Sequence, residues 1–169
     1  MQTEYSSQNP ETDIRENVVA GLVGAFLFSL VGGALWFLLA RVGFIASVTG
    51  LVGVVCAAKG YALFARKESV RGVIFASLIA ILVLVAAWYL CFAYDIYEAH
   101  KEWYEAGEIE YMLTYAESVS AVPFYLQDSQ VGPGYIKDLA LGLLFALIGG
   151  GSYVVNTIRN IKAKAAAEN

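Results

Sequence analysis

The chain has 169 residues, of which 59% are hydrophobic and 15% are charged, with a net charge of −4 and a mean hydropathy of +0.60. Ordinary soluble domains hold roughly 45–50% apolar and about 25% charged residues, so this composition excludes a typical water-soluble fold. An acidic chain whose Lys and Arg form no basic stripe is not expected to bind nucleic acid. Lipid is therefore the predicted solvent for most of the chain.

The N-terminal segment, residues 1–16, is polar and is predicted to be a flexible cytoplasmic tail. It carries four acidic residues against the single Arg15, whereas a secretory signal peptide begins with basic residues. We therefore expect no cleaved signal, and we expect the first apolar block to remain as a membrane anchor.

Four apolar blocks follow the tail. Between residues 18 and 58 the only charged residue is Arg41, and one helix of that length would measure about 60 Å, twice the hydrocarbon thickness. The block should therefore fold into a hairpin, with its turn at Arg41 to Gly43. The predicted spans are 18–40, 43–64, 72–94 and 139–158.

The loops set the predicted orientation. Residues 95–138 contain nine acidic residues and two lysines, and they form a long predicted outer loop. Seven Lys and Arg residues fall on the side of the termini against three on the other side, which predicts that both termini are cytoplasmic. The fold class is thus an all-α, integral membrane four-helix bundle over 17–160, multi-pass in the cytoplasmic membrane, with a cytoplasmic tail over 161–169.

Small residues recur every three or four positions in three of the spans. Helices in lipid associate by close packing rather than by escape from water, so such stripes predict helix contacts. The predicted packing residues are Gly21, Ala25, Ser29, Gly33, Gly50, Gly53, Gly142, Ala146 and Gly150. Cys56 and Cys91 lie inside apolar blocks and are interpreted as small packing residues rather than as a disulfide or a metal pair.

The outer loop holds most of the polar chemistry. An amphipathic helix is predicted over residues 97–115, lying along the membrane surface, and the apolar segment 122–126 could cap the bundle. Four residues are candidate ligands for a divalent cation, although their spacing matches no dedicated metal motif: Glu98, His100, Glu102 and Glu105. The simpler interpretation is a solvated acidic face on a helix that extends from the membrane.

Several motifs together resemble a known group of proteins. These are the runs Gly33-Ala-Leu-Trp36 and Gly43-Phe-Ile-Ala46, then Lys59-Gly-Tyr61, and Ile136-Lys-Asp138-Leu before a Gly-rich last span. The chain resembles an uncharacterised family of small multi-spanning membrane proteins of Gram-positive bacteria. Some members of that family carry a cytoplasmic zinc ribbon, but the N-terminal tail here has no Cys. The resemblance implies a bacterial membrane protein and no particular activity.

For function, the sequence predicts a non-catalytic membrane protein that acts by assembly or partner binding. His100 is the only histidine, no nucleophile has an identifiable base, and we predict neither an enzyme nor a cofactor. The predicted partners are the lipid bilayer and either a second copy or another membrane protein. The alternative is a small-solute or ion transporter, as a single chain or as an oligomer, because glycines 149–151 could break the last span to line a cavity. A metal-dependent enzyme using the outer-loop carboxylates is the third hypothesis.

Overall fold

The computed structural model describes residues 15–41 and 48–167, and these residues form helices and connecting turns without a β-strand. This confirms the predicted all-α class. The predicted hairpin turn at 42–43 and the tail before residue 15 lie outside the described residues. The five helices are α1 (Val18–Arg41), α2 (Thr49–Ala65), α3 (Val70–Glu105), α4 (Tyr115–Leu126) and α5 (Gly132–Ala167).

Three of these helices, α1, α3 and α5, are long and apolar enough to cross a membrane. Helix α2 is also apolar but has 17 residues. The predicted fourth span, 139–158, lies within the longer α5, which begins at Gly132 and also includes most of the predicted tail. Pro133 starts α5 because its fixed φ and missing N–H suit the first helical turn.

Helix α3 is continuous over 36 residues, about 54 Å. Ser69 caps its start by accepting a hydrogen bond from the Gly72 N–H at 3.0 Å. Its end is a Schellman motif, with Gly107 at φ 74° and the Glu108 N–H donating to the Trp103 carbonyl at 2.9 Å. The third predicted span and the first part of the helix predicted over 97–115 are therefore one element, which ends at Glu105. The rest of that prediction is wrong, because residues 106–114 form turns and irregular structure after the Gly107 cap.

Helices α1 and α2 are antiparallel, and their backbones touch at glycines. A Cβ built on Gly24 would lie 2.4 Å from the carbonyl oxygen of Gly60, and one built on Gly60 would lie 2.5 Å from that of Gly24. At the next contact, a Cβ on Gly32 would lie 2.6 Å from the Cα of Gly53. No side chain fits at Gly24, Gly32 or Gly60, so the α1–α2 spacing depends on glycine at these positions.

Helices α3 and α5 pack on this pair. Gly33 of α1 faces Val83 and Ala87 of α3, and a Cβ on Gly142 of α5 would lie 2.5 Å from the Trp36 ring. Gly150 of α5 faces Val54 of α2 in the same way. These contacts place α3 parallel to α1, and α5 antiparallel to both.

All nine predicted packing residues lie at or beside these contacts. Gly21 faces the Tyr61 ring, Gly50 faces the carbonyl oxygen of Gly142, and Ala25 and Ser29 are buried. Five other glycines, which were not predicted as packing residues, make equally tight contacts: Gly24, Gly32, Gly60, Gly72 and Gly132.

The last helix does not break at glycines 149–151. It forms a π-helical turn over Ala146–Gly150 and then continues as an α-helix from Gly151. Gly149 and Gly150 face Leu51 and Val54 of α2, while a Cβ on Gly151 would meet nothing within 4 Å. The π-helical turn therefore lets Gly149 and Gly150 pack on α2 while helix α5 continues beyond them.

Candidate functional site

A charged cluster joins three helices at the end of the molecule where α1 terminates. Arg41 is the last residue of α1, and its Nη2 donates to Asp95 of α3 while its Nη1 donates to Glu98 Oε2 at 2.7 Å. Asp95 and Glu98 are three residues apart, so they share one face of α3. The Arg41 and Asp95 side chains are 29% and 28% exposed, which places this ion pair at a boundary rather than in the core.

Aromatic rings surround the guanidinium. The Arg41 Cζ lies 4.8 Å from the ring centroid of Tyr94 and 5.4 Å from that of Phe37. The two rings meet edge to face at 5.5 Å. Such cation–π contacts hold the guanidinium in place and shield it partly from water.

Tyr135 connects α5 to the same cluster. Its hydroxyl donates to Asp95 Oδ2 at 2.9 Å, and its carbonyl accepts from Trp88 Nε1 at 2.9 Å. Its ring stacks on Phe92 with centroids 3.7 Å apart. Asp95 thus bridges α1 and α5, a link that was not predicted from the sequence.

Helix α4 folds back on the end of α3. The Tyr89 hydroxyl donates to the Val119 carbonyl at 2.9 Å, and the Tyr115 hydroxyl donates to the Leu90 carbonyl at 3.2 Å. Beneath them, Val122 is fully buried in a small cluster with Phe92 and Ile96. Helix α4 is therefore held against the second half of α3, which also carries Asp95 and Glu98.

The start of α4 is fixed by a capping box. The Glu117 N–H donates to Thr114 Oγ1, while the Glu117 carboxylate accepts from the Thr114 N–H at 2.7 Å. The Tyr111 hydroxyl also donates to this carboxylate at 2.7 Å. The hydrogen bonds from Tyr111 and then from Thr114 lower the pKa of Glu117, because they favour its charged form.

Four aromatic side chains form a continuous row across α3 and α4, which we call the aromatic row: Trp103, His100, Tyr125 and Phe124. Successive ring centroids lie 5.2, 6.0 and 5.6 Å apart. The two ends of the row are open to the surroundings, with Trp103 43% and Phe124 75% exposed. Exposed aromatic groups of this kind are typical of binding surfaces.

The predicted metal ligands lie in different environments. Glu98 pairs with Arg41, while Glu102 and Glu105 are exposed, and Glu105 lies 3.8 Å from Lys101. His100 Nδ1 donates to the Ile96 carbonyl at 2.9 Å, and its Nε2 lies 3.3 Å from the Tyr125 hydroxyl, so both ring nitrogens already have partners within the protein. Within residues 15–41 and 48–167, no group of three or more His, Cys, Asp or Glu side chains is arranged to hold a metal ion.

A second polar cluster lies at the opposite end of the molecule. The Glu16 carboxylate accepts hydrogen bonds from the Ser69 hydroxyl and from the Tyr61 hydroxyl, the latter at 2.6 Å, and both bonds lower its pKa because they favour the charged form. The Tyr61 ring is 1% exposed and is enclosed by Gly21 and Gly72. This cluster ties the start of α1 to α2 and α3.

Midway between the two polar clusters the helices are closely packed. Small residues of α1 and α2, among them Ser29, Gly33, Gly50 and Gly53, line a gap that is too narrow to hold a water molecule. Cys56 is half-buried, and Cys91 is buried with its Sγ 3.7 Å from Arg41 Nη2; both are free thiols.

The sequence held a partial signal for the charged cluster. In the predicted topology Arg41 and Asp95 both lie at the outer ends of their spans, where opposite charges could meet. Tyr135 has no such signal, because it lies in the predicted outer loop 95–138 and its contacts depend on where α5 begins. Comparison with family models, with curated proteins and with solved structures finds no match, so the Gram-positive membrane family stays a prediction.

Proposed function

We propose that this chain is an integral protein of the cytoplasmic membrane that crosses the bilayer four times, is not an enzyme and acts by binding a partner. The membrane location is supported by three helices that are long and apolar enough to cross a bilayer. Helix α2 contacts α1, α3 and α5, and its 17 residues extend about 26 Å, close to the roughly 30 Å of hydrocarbon. Highly exposed apolar residues such as Leu63 and Leu82 are stable in lipid.

The distribution of basic residues supports cytoplasmic termini, with α4 and the end of α3 on the outer side. This orientation is testable with single cysteines in a chain where Cys56 and Cys91 are replaced by Ala. In intact cells, a thiol reagent that cannot cross membranes should label Glu108→Cys and not Glu68→Cys. The reverse pattern would show that the orientation is wrong.

The aromatic row carries the partner-binding proposal. Trp103 and Phe124 stand exposed at its ends, although the interior of the row is fixed by the His100–Tyr125 contact. A rigid aromatic surface loses little conformational entropy on binding, which is why such side chains dominate interfaces. Nearby carboxylates, including those of Glu102 and Glu105, favour a partner with a basic surface.

In-cell photo-crosslinking tests this proposal. A benzophenone side chain is placed at Phe124 or at Trp103 in cells that naturally express the protein, and Leu82, which is 68% exposed on α3, is the matched lipid-facing control. We expect a discrete protein adduct from 124 and 103 and none from 82. Lipid adducts alone at all three positions, together with a strictly monomeric protein after mild solubilisation, would contradict partner binding.

A small-solute or ion transporter is the second candidate, favoured by two observations. The π-helical turn of α5 is a feature that is frequent at functional sites, and ionisable groups near the membrane boundary often mark solute pathways. The narrow gap between the small residues gives this candidate less support than partner binding receives. Flux into liposomes containing the purified protein, measured across a panel of ions and metabolites, distinguishes the two functions.

A further inference from the structure

The exposed face of α5 carries an open groove of about 480 Å³. Its apolar lining is exposed, with Leu147 and Ile148 each 64% and Val155 48% accessible. Gly151 also lines the groove, and a Cβ placed there would meet nothing within 4 Å. Ser152 and Asn156 complete the lining. Because Gly151 has no side chain, part of the groove stays open at this position.

The length of the groove matches one lipid leaflet. From Leu147 to Asn156 the helix rises nine residues, about 13 Å, whereas half of the hydrocarbon thickness is about 15 Å. The groove lies in the half of α5 nearer Glu16, since Gly150 faces Val54 and α2 ends farther along at Ala65. An acyl chain of the leaflet at the Glu16 end fits these dimensions.

Positive charge follows directly after the groove on the same helix face. Arg159 and Lys162 lie four and seven residues beyond Val155, which is one and two helical turns. Both side chains are exposed, and neither forms an ion pair with any carboxylate in the described part of the chain. Their position corresponds to the headgroup region when the groove lies in hydrocarbon.

We propose that this face of α5 binds an anionic phospholipid, with an acyl chain in the groove and the phosphate at Arg159 and Lys162. The inference rests on the membrane location in the proposed function, but not on the partner of the aromatic row. A second copy of the chain fits this face less well. A symmetric pair of α5 helices would bring the cations of both copies together, and like charges repel.

Native mass spectrometry of the full chain in mild detergent tests this proposal, with equal amounts of dioleoyl phosphatidylglycerol and dioleoyl phosphatidylcholine. We expect the wild-type chain to retain the phosphatidylglycerol preferentially. Arg159→Gln and Lys162→Gln should each reduce that preference about fivefold. Lys164→Gln is the matched control, because position 164 lies on the opposite face of the helix and should leave the preference unchanged.

The groove itself is tested with Gly151→Leu, which should lower retention of both lipids. Gly134→Leu is the control, because a Cβ at Gly134 also meets nothing within 4 Å but lies far from the groove. Equal lipid retention in all variants would overturn the proposal, as would a Gly151→Leu chain that changes only the monomer–dimer equilibrium. Release of the chain from membranes by alkaline carbonate would instead overturn the membrane location, and with it both proposals.

Discussion

Arg41 at the end of α1 and Asp95 on α3 form an ion pair at the boundary of the helical core, and the Tyr135 hydroxyl of α5 donates to the second oxygen of the same carboxylate at 2.9 Å. The Asp95 side chain therefore connects its own helix α3 to both α1 and α5, which are distant in sequence. Helix α4 packs against the same half of α3 that carries Asp95.

Asp95→Asn should destabilise the protein by about 1–2 kcal/mol, because it removes a partly shielded charge pair and weakens the acceptor for Tyr135. Lys101→Gln is the control, since it breaks an exposed pair with Glu105 and should cost less than about 0.5 kcal/mol. The free energy of unfolding in mixed detergent micelles measures both. Equal effects would mean that the Arg41 pair contributes no more than a surface pair.

Gly32→Ala should separate α1 from α2, because the added Cβ would lie 2.6 Å from the Cα of Gly53, and backbone cannot move aside cheaply. Overpacking of this kind costs about 1–3 kcal/mol. Gly134→Ala, in open space on α5, should instead be neutral or slightly stabilising. Thermal unfolding in detergent compares the two, and a tolerated Gly32→Ala would show that the helices do not depend on this contact.

Tyr135→Phe removes the hydroxyl while it keeps the ring stacked on Phe92. We expect a loss of about 1.5 kcal/mol, at the low end for a hydrogen bond to a charged group because Asp95 is partly exposed. In a double-mutant cycle with Asp95→Asn the two losses should not add, since both variants weaken the same hydrogen bond. If the two losses of stability add, the Tyr135 hydroxyl must stabilise the protein through a contact other than Asp95.

The capping box of α4 should depend on pH. The pKa of Glu117 is lower in the folded chain than the usual glutamate value of about 4.3, so its bonds stabilise the helix above that value and are lost as the pH falls through the lowered pKa. Hydrogen exchange at the Glu117 and Ser118 amides, corrected for intrinsic rates, should therefore show full protection at pH 6 and loss of protection in acid.

Glu117→Gln should remove this pH dependence, because an amide at the third helical position can still bond to Thr114 without titrating. Glu108→Gln, which changes an exposed carboxylate outside α4, should leave the pH dependence intact. Identical acid responses in both variants would show that another group titrates.

The sequence by itself determined the helical class and the approximate position of the long apolar helices, because both depend on local composition and on the length that a bilayer requires. The start of α1 at Val18 and its end at Arg41 follow from the run of apolar residues between them. The small-residue stripes also predicted which faces of the helices could pack, since period and side-chain size are visible in one sequence.

The tertiary structure alone decided which small residues touch and which polar groups meet. Gly32 opposes Gly53, and Tyr61 fills the space between Gly21 and Gly72, because helix rotation and register bring them together, and these depend on all neighbours at once. The Asp95–Tyr135 bond required the true start of α5, seven residues before the predicted span. Contacts between distant segments leave no periodic signal in the chain, and for that reason the partners within the polar clusters at both ends became visible only in the fold.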